Sequence, residues 1–436
     1  MNRTLSGAGA ARTAAAAART AAAAIVALAL LSASGCASYG RLERYRETYP
    51  DAAAFLESRG VPSFGASEPA LYMDGGAWFE RAMELIAGAE DYILISSFLI
   101  TDIDRQAAIF DALAEQMTDG VRVYMIVDSA SYYRTYPMDA EPIPASTPLA
   151  RNFGIPLIEY NPIRGRRIFT LLGLLDRDHR KFWVVDGRTV VTGGQNVDYD
   201  SLRDVGNGGC VDAMIEYESP GAAAFLRDSF VRTWNAYSLD PLDPDDFAVG
   251  DADTPYRLSV IDQGLRSPGL VTDMFDGFMA FASEELWLVQ CYAYLTPSLL
   301  DRVRFAVDRG VRVNVVLSRE HVTARALYGS YYGMLDLLDA GASVYLYESD
   351  VGSLLHFKLI MADGELASVG SANYNLRSHT TSRELSFIVS DQESLAMIRA
   401  ELDALLASCR PVGREEARRY RGLPYLLQNL LMQFWG

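Results

Sequence analysis

An internal duplication with an offset of 177 positions restricts the fold of this 436-residue chain more than any other feature of its sequence. The pattern His-x-Lys-x4-Asp occurs at His179, Lys181 and Asp186, and again at His356, Lys358 and Asp363. These two segments contain both lysines of the chain, since every other Lys or Arg position is an arginine. A compact ammonium and a planar guanidinium are not interchangeable where a small anion is bound. We infer that the two segments carry the chemistry of the protein.

The repeat extends well beyond these two segments. Each copy is followed by small residues and an asparagine in the same register, at Gly193, Gly194 and Asn196 and again at Gly370, Ser371 and Asn373. Upstream, the tetrapeptide Gly-Val-Arg-Val occurs at 120–123 and 310–313, each time between a helical pattern and a strand-like apolar run. Both halves therefore contain the same succession of predicted strands and helices.

The succession of strand, helix and strand in each half predicts parallel strands joined by right-handed crossovers. We expect an α/β fold with two pseudo-twofold-related α/β/α units, whose mixed, largely parallel sheets share one active-site cleft. The length of the chain also favours two units over a single core. The sequence divides into a signal peptide over 1–36, an N-terminal extension over 37–75, a first unit over 76–237, an acidic, proline-rich linker over 238–266, a second unit over 267–411, and a basic and apolar C-terminal tail over 412–436.

The residue types of the duplicated motif suit chemistry at a phosphate group. On a strand, side chains two positions apart face the same side, so His179 and Lys181 point together, as do His356 and Lys358. Two copies brought face to face would surround one phosphate with two imidazoles, two ammonium groups and two asparagine amides. A neutral imidazole can attack phosphorus while a protonated one donates to the leaving alcohol, and the cations stabilise the transition state. Such a site needs no cofactor and no metal.

Each motif is also followed by an acidic residue that opens a later strand, Asp212 in the first half and Glu384 in the second. Each carboxylate is placed in sequence to accept a hydrogen bond from a histidine Nδ1 and to fix its tautomer. The glycines allow close approach of neighbouring backbone, and the asparagines can donate amide hydrogens to the substrate. The candidate catalytic residues are the two histidines, the two lysines, and the motif aspartates Asp186 and Asp363.

The N-terminal segment predicts export. Three arginines precede an apolar run from Ala21 to Leu31, and small residues then lead to Cys36, which is the arrangement of a secretory signal. The Ser-Gly-Cys ending resembles a bacterial lipoprotein box, although Ala33 stands where leucine is usual. We expect an exported, membrane-anchored lipoprotein with a lipid-modified Cys36, on the periplasmic or cell-envelope side. A plain signal peptide or a retained anchor helix is the alternative.

Net charge and cysteine spacing argue against three features: binding to nucleic acid, a zinc site and a disulfide framework. The net charge of −17 argues against nucleic acid, because an acidic protein repels the phosphate backbone. Beyond Cys36, the chain contains Cys210, Cys291 and Cys409, an odd number without CxxC spacing. This pattern predicts neither a zinc site nor a disulfide framework. Nothing in the sequence implies an oligomer.

The duplicated motif, followed by Gly-Gly or Gly-Ser and then Asn, resembles that of the phospholipase D superfamily. The second copy, through Arg377 and Ser378, looks like the fuller form of the family pattern, whereas the first copy has Asp200 in the place of Arg377. Within the superfamily, the flanks of the first copy are similar to those of bacterial cardiolipin synthases. These flanks are Tyr160-Asn161-Pro162, a basic cluster over 164–167 and an apolar stretch over 168–175.

This resemblance implies a phosphohistidine intermediate. The N-terminal histidine is more often the nucleophile in the family, which implies His179 as nucleophile and His356 as general acid, with the reverse assignment still open. The leading hypothesis is a phosphatidyltransferase that joins two phosphatidylglycerols and releases glycerol at a membrane surface. The alternatives are a phospholipase D hydrolase that releases phosphatidic acid, a nucleic-acid phosphodiesterase, and a catalytically idle lipid-binding lipoprotein.

The sequence allows four further predictions. The basic cluster over 164–167 and the following apolar stretch suit lipid headgroups and acyl chains, or an amphipathic helix that caps the core. The tail from Leu423 to Trp435 follows three arginines and predicts a membrane-surface segment or simple packing. His321 is a candidate for substrate contact. His379, in a polar segment, is predicted to lie at the surface.

Overall fold

A computed structural model describes residues 35–101, 104–133, 153–162, 175–264, 269–320 and 324–435. Residues 1–34 of the expected signal peptide, the segment 163–174 and His321 lie outside these ranges. The helices are α1 (Gly35–Thr48), α2 (Ala52–Ser58), α3 (Gly75–Ala87), α4 (Arg105–Thr118), α5 (Pro220–Asn235), α6 (Leu270–Phe281), α7 (Pro297–Asp308), α8 (Ala324–Asp339), α9 (Leu376–Thr380), α10 (Gln392–Leu406), α11 (Arg414–Arg418) and α12 (Leu423–Trp435). The strands are β1 (Ser63–Ala66), β2 (Ala70–Tyr72), β3 (Tyr92–Ser97), β4 (Arg122–Asp128), β5 (Leu157–Tyr160), β6 (Phe182–Val185), β7 (Thr189–Gly193), β8 (Met214–Glu218), β9 (Tyr256–Gln263), β10 (Glu285–Gln290), β11 (Arg312–Ser318), β12 (Ser343–Tyr347), β13 (Leu359–Ala362), β14 (Leu366–Gly370), β15 (Glu384–Val389) and β16 (Cys409–Pro411).

The duplication seen in the sequence is present in the strand order of two sheets. The first sheet has the order β2-β8-β7-β6-β3-β4-β5. The second has the order β1-β9-β15-β14-β13-β10-β11-β12-β16. Without its two edge strands β1 and β16, the second sheet repeats the order and the strand directions of the first. The prediction of two related α/β units is confirmed.

The strand directions correct one part of the predicted fold. Among the described strands, only β3–β4 and β4–β5 are parallel in the first sheet, and only β10–β11 and β11–β12 in the second. The sheets are therefore mixed, as expected, but they are not largely parallel. For β6–β7 and β13–β14 the physical reason is the tight turn between the two strands, because such a turn can join only antiparallel neighbours. Parallel pairing is limited to strands separated by a longer crossover.

Two predicted boundaries also differ from the structure. The predicted N-terminal extension contains β1 and β2, and these strands pair with β9 of the second sheet and β8 of the first. The predicted linker contains β9, which pairs with β15 from Leu258 to Gln263. Aspartates and prolines before Tyr256 concealed a strand whose side chains alternate only partly between buried and exposed. The irregular connection therefore ends before β9.

One hydrophobic core spans both halves and fixes them against each other. It includes Tyr217 from β8 and Phe387 from β15, whose rings lie 6.1 Å apart. The Tyr217 hydroxyl also forms a 2.8 Å hydrogen bond with the Ser394 hydroxyl of α10. Separate clusters pack the outer helices against each sheet. Because the sheets share buried side chains, the strand ends that carry the motifs are held at a fixed distance.

Candidate active site

Each motif histidine lies in an extended segment just before a strand, bound to the opposite half of the chain. His179 precedes β6 and donates its backbone N–H to the carbonyl of Arg383 over 3.0 Å. His356 precedes β13 and donates its backbone N–H to the carbonyl of Val211 over 2.8 Å. The expectation that the motif itself forms a regular strand is therefore corrected. Instead of continuous strand pairing, isolated bridges join Asp178 to Arg383 and Leu355 to Val211 of the opposite half.

The side chains of the two histidines cross between the halves in the same way. The Nδ1 of His179 lies 3.0 Å from Oε2 of Glu384, and the Nδ1 of His356 lies 2.5 Å from Oδ2 of Asp212. Both carboxylates are fully buried. Each half thus supplies a histidine and the carboxylate that orients the histidine of the other half. The sequence predicted the two acids, but it did not indicate this exchange.

The two carboxylates are held by different neighbours. Glu384 accepts hydrogen bonds from the hydroxyls of Ser371 and Ser378, over 2.5 and 2.6 Å. Asp212 instead accepts from the Ala213 backbone N–H over 2.9 Å. Gly194 occupies the place of Ser371 in the first half, and a Cβ there would overlap the Asp212 oxygens. The glycine of the first motif is therefore required by the carboxylate that supports His356.

Both lysines are buried behind their histidines. The Nζ of Lys181 donates to the carbonyl of His179 over 2.6 Å and lies 5.1 Å from the ring centre of Phe98. The Nζ of Lys358 contacts the carbonyl of His356 and lies 2.6 Å from its Nδ1. The same ammonium is 3.4 Å from Asp212. The structure thus brings each lysine to its own histidine, as the spacing in the motif predicts.

Burial lowers the pKa values of both histidines and of Lys181. Burial lowers the pKa of His179 to about 4, although the Glu384 carboxylate opposes the shift. Burial, together with the positive charge of Lys358, also lowers the pKa of His356. Burial and the same charge lower the pKa of Lys181 to about 7. At neutral pH, His179 is therefore a neutral imidazole that donates Nδ1–H to Glu384 and keeps an unprotonated Nε2.

The histidines face a single cavity of about 290 Å³. Asn196 and Asn373 line it from equivalent positions of the two halves, as predicted. The Oδ1 of Asn196 accepts the Leu99 backbone N–H over 3.1 Å, which leaves its amide NH₂ for the cavity. Other lining residues, which the sequence reasoning missed, are Phe98, Leu99, Asp198, Cys210, Cys291, Tyr292, Leu354, Ser382 and Met432. Phe98, Leu99, Cys291 and Tyr292 directly follow the central strands β3 and β10, which is the sequence signal that could have found them.

The motif aspartates lie away from this cavity. The carboxylate of Asp186 accepts the backbone N–H groups of Glu90, Asp91 and Tyr92. Asp363 accepts the equivalent three N–H groups over 283–285. Both aspartates have a left-handed backbone, with φ of 51° and 55°, at the turn after their strand. The prediction that they are catalytic is corrected, because they join the turn to the start of a neighbouring strand.

One other sequence-based expectation, that for His379, has a structural outcome. His379 is buried, stacks on Phe275 with ring centres 5.0 Å apart, and shares a 3.1 Å hydrogen bond with Thr272. The prediction of a surface histidine is wrong, because the polar segment forms α9 and packs on α6. Cys210, Cys291 and Cys409 are free thiols. Within the described ranges, no group of three or more His, Cys, Asp or Glu side chains is arranged to hold a metal ion.

A duplicated α/β fold with one histidine–lysine pair from each half around one cavity defines an enzyme of the phospholipase D superfamily. The family model described as "Cardiolipin synthase, PLD-like domain" matches residues 82–234 and 278–406, and the chain belongs to this family. Cardiolipin synthase 1 of Staphylococcus epidermidis is 24% identical over 347 residues, which are 76% of this chain and 66% of that protein. Cardiolipin synthase A of Pseudomonas aeruginosa is 26% identical over 385 residues, which are 87% of this chain and 75% of that protein.

The fold is also similar to a solved structure. The crystal structure of phosphatidylserine synthase from Haemophilus influenzae superposes with a TM-score of 0.68 at 14% identity. The match covers 87% of this chain and 96% of that one. At this identity the similarity supports the two-unit fold alone.

Proposed function

We propose that the protein is a phosphatidyltransferase of the cardiolipin synthase type, which joins two phosphatidylglycerols through a phosphohistidine and releases glycerol. The observation that carries this proposal is the pair of histidines at one cavity, each oriented by a carboxylate of the other half. Two oriented imidazoles allow one to attack while the other handles the proton. The relatives named cardiolipin synthase favour phospholipids as the substrates.

In the first step, Nε2 of His179 attacks the phosphorus of one phosphatidylglycerol. A P–N bond forms, the bond from phosphorus to the glycerol oxygen breaks, and His356 gives that oxygen a proton. His356 has a lowered pKa in the free protein, and an anionic phosphodiester in the cavity raises it again because opposite charge favours the imidazolium. The ammonium groups and the asparagine amides stabilise the charge on the remaining phosphate oxygens.

In the second step, a second phosphatidylglycerol takes the place of the released glycerol. His356 removes the proton from its hydroxyl, the oxygen attacks phosphorus, and the P–N bond breaks. His179 becomes neutral again, and cardiolipin leaves. Transfer requires that water does not replace the second lipid, and the apolar side chains of Phe98, Leu99, Leu354 and Met432 in the cavity wall favour this exclusion.

The test is product analysis with the purified full-length protein and phosphatidylglycerol vesicles. Cardiolipin and glycerol in equal amounts are expected, and His179→Ala and His356→Ala should abolish both. A matched control is His379→Gln, which changes a buried histidine outside the cavity. Phosphatidic acid as the main product would contradict transfer and support hydrolysis. Cleavage of DNA without any lipid product would contradict both.

We also propose that the protein is exported and anchored to a membrane by lipid attached at Cys36. The charged, apolar and small-residue segments before Cys36 support this location. Across the residues that the structure describes, none of the helices combines the length and apolarity needed to cross a membrane. Metabolic labelling with a radioactive fatty acid should mark the wild-type protein and not Cys36→Ser. Equal labelling of both would contradict this proposal.

A further inference from the structure

Helix α12, at the C-terminal end, exposes three leucine side chains on one face. Leu423, Leu427 and Leu431 are exposed at 66%, 56% and 49%, and they lie four residues apart on one face of the helix. The neighbouring Tyr328 of α8 is exposed at 42%. We call these four residues the leucine stripe. The other exposed large apolar residues in the described ranges, Leu239, Val249 and Val351, do not lie on this helix.

Away from the stripe, α12 carries two buried polar residues, Asn429 and Gln433. The side-chain amide of Asn429 donates to the carbonyl of Gly329 over 2.7 Å, and that of Gln433 donates to the carbonyl of Leu295 over 2.9 Å. Tyr425 packs against Tyr328 with ring centres 5.1 Å apart. These contacts fix the rotation of the helix. A helix on the surface of a water-soluble protein normally has the reverse arrangement, so this outward face is suited to an apolar environment.

The stripe is directly connected to the active site. Met432 of the same helix lines the cavity that contains His179 and His356. Helix α12 also packs against α9, which contributes Arg377 and Ser378 to the cavity wall. A surface that receives α12 therefore lies beside the residues that surround the phosphate.

Positive charge accompanies the stripe. Arg418 and Arg419 are exposed just before α12, in a protein whose net charge is −17. Arg419 pairs only weakly with Glu415, over 3.7 Å between two well-exposed side chains. Exposed arginines beside an apolar helix face complement anionic lipid headgroups. The local charge thus favours a partner that is apolar and negatively charged.

We propose that the leucine stripe docks the protein onto an anionic phospholipid bilayer, so that headgroups reach the cavity beside Met432. This inference rests on the proposed function. A cavity of about 290 Å³ lies just below the range of roughly 300–1,000 Å³ for small-ligand sites, so it holds headgroups and leaves the acyl chains of both substrates in the bilayer. The acyl chains then need an apolar surface next to the cavity, and α12 supplies one.

The first test uses the full chain with Cys36→Ser, so that no lipid anchor at that residue contributes. In the stripe variant, Leu423, Leu427 and Leu431 are changed to Gln; in the control variant, Leu239, Val249 and Val351 are changed to Gln. The stripe variant should lose about ten-fold or more in flotation with phosphatidylglycerol vesicles and in turnover of vesicle substrate. Its turnover of monomeric short-chain phosphatidylglycerol should stay within about two-fold of the control.

Several results would overturn this inference. One is vesicle binding by the stripe variant equal to that of the control. Another is a dimeric wild-type protein together with a monomeric stripe variant, because the leucine stripe would then bind a second copy of the chain and not a bilayer. If no phospholipid is turned over but the difference in vesicle binding remains, the proposed function fails and the docking surface stands.

A second measurement does not depend on how well the stripe variant folds. With Cys36→Ser and Cys409→Ser as background, an environment-sensitive dye is attached at Leu427→Cys or, as control, at Leu239→Cys. The emission of the dye at position 427 should shift to the blue when phosphatidylglycerol vesicles are added, and the dye at position 239 should not respond. Equal emission with and without vesicles at position 427 would exclude docking through α12.

Discussion

Glu384 and Asp212 each orient a histidine that lies far away in the sequence and in the other half of the molecule. The separation is 205 residues for His179 and Glu384, and 144 for His356 and Asp212. A carboxylate at Nδ1 holds the imidazole in the tautomer with a free Nε2 and stabilises the imidazolium when it forms. Both functions act on the histidine and not on the substrate, so loss of either carboxylate should affect turnover more than binding.

The first prediction concerns these two carboxylates. Glu384→Gln and Asp212→Asn should each lower kcat by about 10²–10⁴-fold, because an amide can leave the histidine in the wrong tautomer. KM for short-chain substrate should change little. The matched control is Glu218→Gln, which alters a half-exposed partner of Arg188 and should leave kcat unchanged. An unchanged kcat in both carboxylate variants would show that the cross-half hydrogen bonds have no catalytic role.

The second prediction concerns the pH dependence of kcat/KM for short-chain substrate. The rate should rise through about pH 4 as His179 loses its proton, since burial lowers its pKa to about 4. It should fall on the alkaline side as His356, whose pKa is lowered from the usual value, loses the proton that it must donate. Above pH 7 the fall should steepen, because the pKa of Lys181 is lowered to about 7 and the ammonium is lost.

The variant Lys181→Arg distinguishes the titration of Lys181 from that of His356. A guanidinium stays charged throughout this range, so the fall above pH 7 should correspond to one proton in the variant and two in the wild type. The maximum rate should also be lower, because the planar group does not fit the place of a compact ammonium. The same steep fall in both proteins would contradict a catalytic charge at Lys181.

At the scale of elements, the turn after β7 has to leave room for the acidic residue before β8. A Cβ at Gly194 would overlap the carboxylate oxygens of Asp212. Gly194→Ala should therefore displace this carboxylate and lower kcat about as much as Asp212→Asn does. Gly413→Ala is the matched control, because no atom lies within 4 Å of the added Cβ. Wild-type kcat in Gly194→Ala would show that the close approach is not needed.

The segment that carries His179 is also clamped by a buried arginine. The guanidinium of Arg180 donates to Asp178 over 2.8 Å and to Asp262 of β9 over 3.0 Å. Arg180→Met would leave two buried carboxylates without this partner and should lower the free energy of unfolding by about 3–5 kcal/mol. Arg188→Met removes an exposed pair and should cost less than about 1 kcal/mol. Urea unfolding measures both, and equal midpoints would contradict the clamp.

At the scale of the whole molecule, the duplication made the two-unit fold and the histidines, lysines and asparagines predictable from the sequence. The direction of the strands after the motifs was not predicted correctly, because it depends on how the connections fold and not on the order of the elements. The motif aspartates were predicted to be catalytic because they belong to the same sequence motif as the histidines and lysines. In the structure, their carboxylates instead bind backbone N–H groups at a turn. The exchange of Glu384 and Asp212 between halves depends on contacts across the shared core, which one sequence does not indicate.

The central claim is that two halves build one site in which His179 carries the phosphatidyl group. The most direct measurement is mass spectrometry of the enzyme mixed with phosphatidylglycerol and quenched within milliseconds in neutral detergent. One phosphatidyl group per chain, on the peptide that contains His179 and absent from His179→Ala, is the predicted result. Two groups per chain, a group on His356 alone, or turnover without any covalent group would contradict the claim.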